Sequence, residues 1–175
     1  MPVATPVPVT TLNELTRDAA AAQLAPLFEG AAAFVRRLAD ARPFLDEDDL
    51  FDRALQIAMA MPVAEQVELL DAHPRVGAPP GSVSPASFIE QGYDLEAAGT
   101  RAESERAHVQ ARLDRLNDAY ESRMGFRFVV FVAGRPRTTI VPELEARLER
   151  PRSVELQTGI RAVLAIARDR WRKPA

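Results

Sequence analysis

Apolar residues recur at intervals of three and four along most of this chain, which is the period of a helix face and not the alternation of a half-buried strand. Thr11 followed by Glu14 has the form of a capping box. The alanine- and leucine-rich stretch after it runs to Glu29, with Gly30 as its stop and Pro26 placed to split it. A second helix is predicted from about Ala31 to Asp40. A third spans Asp46 to Met61, where Leu50, Ala54, Ile57, Ala58 and Met61 form the apolar stripe and acidic residues fill the first turn. Pro62 ends it, and Val63, Val67 and Leu70 mark a short amphipathic helix leading into His73.

The segment from Pro74 to Ser84 holds three prolines and two glycines in eleven residues, so it reads as a loop. Ser84 and Pro85 are an N-cap and first-turn pair that opens a helix containing SFIEQG. A long charged helix follows from about Arg101 to Arg123, closed by Gly125. Residues 126–132, FRFVVFV, are aromatic and β-branched and read as one extended segment, too isolated to make a sheet. Helices from about Thr138 to Glu149 and from Ser153 to Arg172 finish the pattern. The prediction is an all-α, single-domain bundle of about seven to nine helices spanning residues 11–175, preceded by an extended arm over residues 1–10, where three prolines oppose a helix.

Composition narrows the function classes. With 22 basic and 25 acidic residues in 175, the net charge of -3 lacks the basic footprint of a nucleic-acid partner. The absence of cysteine removes disulfides, thiolate metal sites and cysteine nucleophiles. The first residues lack a basic region and a long apolar run, so neither secretion nor a membrane span is expected, and the predicted location is the cytoplasm.

Two histidines are present, in opposite contexts. His108 lies in ESERAHVQAR, a charged, solvated helix face. His73 ends a helix, precedes a proline and opens the glycine- and proline-rich loop, a fixed edge suited to proton transfer. A helix C-terminus also favours a histidine electrostatically, so spacing alone leaves both readings open. Ser87, Glu90 and Gln91 share one helix face and could grip an amide-rich small molecule, although spacing alone favours a solvated helix surface. No spacing assembles a metal site around His73 and Glu90. In the last helix, a wheel of about 100° per residue places Arg170 at the margin of the apolar face and Arg168 on a basic side with Arg161 and Arg172. Arg170 is therefore the candidate for a partly buried guanidinium meeting a carboxylate bidentately, with a snorkelling surface arginine as the bland reading.

The ordered blocks LFEGAAAFVRRLADARPF, AHPRVG, SFIEQG, LNDAYESRMGFRF and IARDRW resemble the 2-oxo-4-hydroxy-4-carboxy-5-ureidoimidazoline (OHCU) decarboxylases of urate breakdown over residues 12–172. The resemblance implies an all-helical, homodimeric carboxy-lyase that needs no metal or other cofactor and releases carbon dioxide to give (S)-allantoin. It implies His73 and Glu90 as catalytic residues. Substrate contacts would come from Pro74, Ser87 and Gln91, from the segment Phe128, Val129, Val130, Phe131 and Val132, and from Arg170 on the substrate carboxylate. Urate oxidase and hydroxyisourate hydrolase are the implied functional associates. This chain departs from the family at Met124–Phe128, where FGFPF is common, and at the closing DRW, where LRL is common. The competing reading is a non-catalytic helical binding or assembly protein on the same scaffold.

Overall fold

A computed structural model describes residues 7–93 and 100–173. The helices are α1 (Val9–Glu14), α2 (Arg17–Leu24), α3 (Ala32–Asp40), α4 (Glu47–Ala60), α5 (Val63–Asp71), α6 (Pro85–Glu90), α7 (Thr100–Met124), α8 (Arg137–Leu148) and α9 (Arg152–Arg172). No strand occurs among the described residues. The fold is thus an all-α single domain with one core, and no described helix is long and apolar enough to cross a membrane.

Most predicted boundaries hold because their local chemistry is strong. Asp46 caps α4 by accepting from the Asp49 N–H at 2.9 Å, and Glu47, Asp48 and Asp49 fill its first turn. Pro26 splits the second stretch as expected, converting Ala25–Phe28 to a 3₁₀ turn. Residues 127–132 belong to no helix and pair in no strand among the described residues.

The N-terminus differs from expectation. Val9 and Thr10, assigned to the extended arm, are helical, while residues 1–6 of that arm lie outside the described residues. Thr11 does not cap a helix. It lies inside α1, whose first backbone bond runs from Leu12 N–H to the Pro8 carbonyl, and Thr16 is the residue that caps α2 through the Ala19 N–H. Proline is tolerated at a helix entrance, and the fully buried Leu12 anchors this turn to the core.

Helix α9 is the central element, packed against α4, α5 and the 3₁₀ turn, with Ile160, Val163 and Ala167 completely buried. Its approach to α5 is close at Gly159, where an added Cβ would lie 2.6 Å from Leu70 Cδ2 and 3.3 Å from its Cγ. Leu70 is itself completely buried and has little room to yield. Gly159→Ala is therefore expected to destabilise the protein by about 1–3 kcal/mol, the usual cost of overpacking, despite the better helix propensity of alanine. A thermal melt checks this, and an unchanged or raised Tm would mean that the α5–α9 contact is loose. The contact matters to function because His73 follows the end of α5 and α9 carries Arg170 near its own end.

Candidate active site

Three elements deliver polar side chains to one cleft: the end of α5, α6 and the end of α9. Residues 128–132 line it as a wall.

His73 is buried. Its Nδ1 lies 3.1 Å from the Leu69 carbonyl, which can only accept, so Nδ1 carries the hydrogen and Nε2 keeps its lone pair. Nε2 is buried and has no partner in the protein. A buried acceptor left unpaired costs free energy, which is what a site awaiting a ligand hydroxyl or amide would show. Burial foremost, with Arg170's charge, pushes the imidazole pKa down to about 4 against the opposing charge of Glu29. With its pKa held that low, His73 is neutral and an acceptor near neutral pH. The acid limb of kcat/KM contributed by His73 should accordingly lie near pH 4 and not near 6.5, and an inflection at 6.5 that vanished in a His73 variant would contradict this. Stability carries the same signature. Between about pH 4 and 6.5 the unfolded histidine binds more protons than the folded one, so stability falls as pH drops through that window.

The loop after His73 is pinned to α7. Arg75 forks onto Glu121 at 2.7 and 2.6 Å and reaches Asp118 at 2.9 Å, Asn117 donates to the Val76 carbonyl, and Gln110 donates to the Gly77 carbonyl. Gly77 has φ +83°, and a side chain there would also crowd Gln110 and Leu113. Arg127 ties the opposite side, donating to the His73 carbonyl at 2.7 Å.

Helix α6 is capped by Ser84, whose Oγ accepts from the Ser87 N–H. Ser87 is buried, and its hydroxyl donates to Glu29 at 2.8 Å. Gln91 lines the cleft but spends much of its amide on the loop, accepting from Gly77 N–H at 2.8 Å and donating to the Arg75 carbonyl at 3.3 Å.

Arg170 sits at the centre of the polar cluster. Its Nε and Nη2 fork onto Glu90 at 2.6 and 2.8 Å, Nη2 also meets Glu29 at 2.7 Å and Ser87 at 3.1 Å, and Nη1 donates to the Pro26 carbonyl at 3.1 Å. Burial alone would lower the guanidinium pKa, but the bond and charge of Glu90 and the charge of Glu29 raise it. Burial likewise pushes Glu29 up, while Arg170 and the two serine hydroxyls hold it below the ordinary carboxylate range. The bidentate fork assigned to a substrate carboxylate is thus occupied by Glu90.

Every residue singled out in the sequence lies on this cleft: His73, Pro74, Ser87, Glu90, Gln91, residues 128–132 and Arg170. Arg168, by contrast, pairs outside the cleft with Glu47 and Asp48. Glu29 was not singled out. Its carboxylate reaches Ser84, Ser87 and Arg170 from a left-handed backbone with φ 49°, an uncommon conformation for a glutamate. The local signal was an acid directly before Gly30, which read as no more than a helix stop. Val76 and Ile166 add apolar lining.

Such an arrangement, an all-helical scaffold holding an unprotonated, unpartnered imidazole beside a carboxylate clamped by arginine, defines a small-molecule site built for proton transfer without a nucleophilic triad. Comparison with known proteins is specific about the family. Residues 13–172 match the OHCU decarboxylase family, and the chain belongs to it. It is 27% identical over 156 residues to the 2-oxo-4-hydroxy-4-carboxy-5-ureidoimidazoline decarboxylase of Haloferax volcanii, covering 89% of each chain. It is 30% identical over 159 residues to the uric acid degradation bifunctional protein PucL of Bacillus subtilis, covering 91% of this chain but only 31% of that protein. Its fold is shared with a crystal structure of OHCU decarboxylase in the presence of (S)-allantoin, with a TM-score of 0.64, 22% identity and coverage of 81% of this chain and 89% of that one.

Proposed function

We propose that this protein is a carboxy-lyase that converts 2-oxo-4-hydroxy-4-carboxy-5-ureidoimidazoline to (S)-allantoin and carbon dioxide in urate degradation. The observation that carries the reading is the buried, unpartnered Nε2 of His73 on a cleft whose other polar side chains are already hydrogen-bonded or ion-paired.

The chemistry needs no external electron sink. When the C–CO₂ bond breaks, its electron pair can move into the adjoining ring C=N, whose nitrogen takes a proton from solvent. The substrate hydroxyl then gives up its proton as it becomes the ring carbonyl, and the carbon bearing the ureido group takes a proton on one face. A neutral His73 with a free lone pair suits removal of the hydroxyl proton, and the imidazolium so formed can return the proton to carbon. Glu90 lines the same cleft with its oxygens oriented by Arg170, and the charge of Glu29 favours that imidazolium. Arg170 acts in this reading through its charge and through Glu90. Pro74, Ser87, Gln91 and the wall at 128–132 orient the ring and ureido group. No step calls for a metal or an organic cofactor. In the same reading the protein is a cytoplasmic homodimer that associates functionally with urate oxidase and hydroxyisourate hydrolase, and the name of the Bacillus relative, a bifunctional protein of uric acid degradation, supports a link to a second activity of that pathway.

The test is the decay of substrate generated freshly from urate by those two enzymes, followed by absorbance with and without this protein in excess EDTA. Accelerated decay that survives chelation supports the reading. Decay at the uncatalysed rate would favour a non-catalytic binding or assembly protein on the same scaffold.

A further inference from the structure

Behind the wall of the cleft lies a buried charged group that the proposed chemistry does not use. Arg147 of α8 and Glu155 of α9 form an ion pair at 2.7 Å, with side chains 3% and 0% exposed. Tyr120 of α7, also completely buried, donates to the same Glu155 oxygen at 2.6 Å. Burial and the Glu155 bond push the Tyr120 hydroxyl above its usual range, so it stays a protonated donor. The group is imperfectly satisfied, since Arg147 Nη2 and Glu155 Oε1 have no hydrogen-bond partner. A buried pair of this kind commonly contributes no more stability than apolar residues of the same volume, so stability is a poor reason for it.

What Arg147 does hold is the wall. Its Nη1 donates to the Val129 carbonyl at 3.0 Å and its guanidinium lies 4.5 Å over the Phe128 ring. Arg135 takes the next carbonyl on that side, Phe131, at 2.7 Å. Arg135 also takes the Val132 carbonyl, at 3.2 Å, so Val130 lies between two carbonyls, Val129 and Phe131, that arginines hold. Among the described residues, Val130 has no hydrogen-bond partner for its N–H or its carbonyl, although it is buried and lines the cleft. A donor and an acceptor side by side match an amide or urea group of a ligand.

We infer that Arg147, braced by Glu155 and Tyr120, is a positioning residue that sets the register of the Val130 peptide for the substrate's ureido or ring amide. The inference rests on the decarboxylase reading. Because the ureido end does not react, its contacts are the same in the ground and transition states, and loosening them raises KM with little change in kcat. Arg147→Lys keeps a positive charge near Glu155 but cannot also reach the Val129 carbonyl and stack on Phe128. The double variant Arg147→Met/Glu155→Gln removes both charges together and keeps an acceptor for Tyr120, so it guards against a variant that fails to fold.

The experiment measures KM, kcat and Tm for wild type and both variants on freshly generated substrate, with (S)-allantoin binding by calorimetry as a readout independent of turnover. Expected are a KM about 10-fold higher, equivalent to the loss of about one well-placed hydrogen bond, a parallel loss of allantoin affinity, and kcat within about 3-fold of wild type. Wild-type KM and allantoin affinity in either folded variant would overturn the inference. So would losses confined to Tm, which would make the group merely structural. An inactive wild type would instead refute the decarboxylase reading on which the inference rests.

Discussion

Replacing His73 with asparagine is expected to lower kcat by about 100-fold to 10,000-fold, the range for loss of a positioned general acid or base. Asparagine can still donate to the Leu69 carbonyl as Nδ1 does now, so the end of α5 keeps its bond. It cannot supply an sp² nitrogen lone pair at the place where Nε2 faces the cleft. The melting temperature should therefore fall only modestly while turnover collapses. His108 is exposed on α7, so His108→Gln should leave activity unchanged and alter stability by less than about 0.5 kcal/mol. A His73→Asn protein that turned over normally in its folded fraction would make the imidazole structural.

The second large effect concerns Arg170. Its guanidinium serves two carboxylates, one hydroxyl and a backbone carbonyl at once, and it is 9% exposed. An ammonium keeps the charge but loses the planar fork on Glu90 and the reach to Pro26. Glu90 and Glu29 would then face each other across a less complete counter-ion in a buried setting, where removing a partner outright costs about 3–5 kcal/mol. Arg170→Lys is expected to lower kcat/KM by roughly 10- to 100-fold, with a smaller loss of Tm. The matched control is Arg168→Lys. Arg168 is one-third exposed and pairs with Glu47 and Asp48 on the surface, so that change should be nearly silent. A larger defect at Arg168 than at Arg170 would invalidate the cleft as described.

The distinction between these two arginines was legible in the sequence because it depends only on helical geometry: the wheel put Arg170 against the apolar face and Arg168 on the basic side. Ser87, Glu90 and Gln91 were legible for the same reason, and the proline-rich loop announced itself by composition. Glu29 was not legible, because its importance arises from contacts with Ser87 and Arg170 that lie 58 and 141 residues away. No local pattern encodes such a convergence. The occupant of the Arg170 fork was hidden likewise, since a sequence shows that a guanidinium is partly buried but not which carboxylate reaches it first. Thr11 failed in another way. Its spacing from Glu14 satisfied a capping pattern, yet the buried Leu12 and the Pro8 carbonyl start the helix two residues earlier.

The central claim is that this cleft directs decarboxylation and returns a proton to one face of the ring. Its most direct measurement is the circular dichroism of allantoin formed from freshly generated substrate with wild type, with His73→Asn and with no protein. An optical excess of the (S) form is expected with wild type alone, appearing faster than the racemic product of spontaneous decay. Racemic allantoin at the uncatalysed rate in the presence of wild type would contradict it.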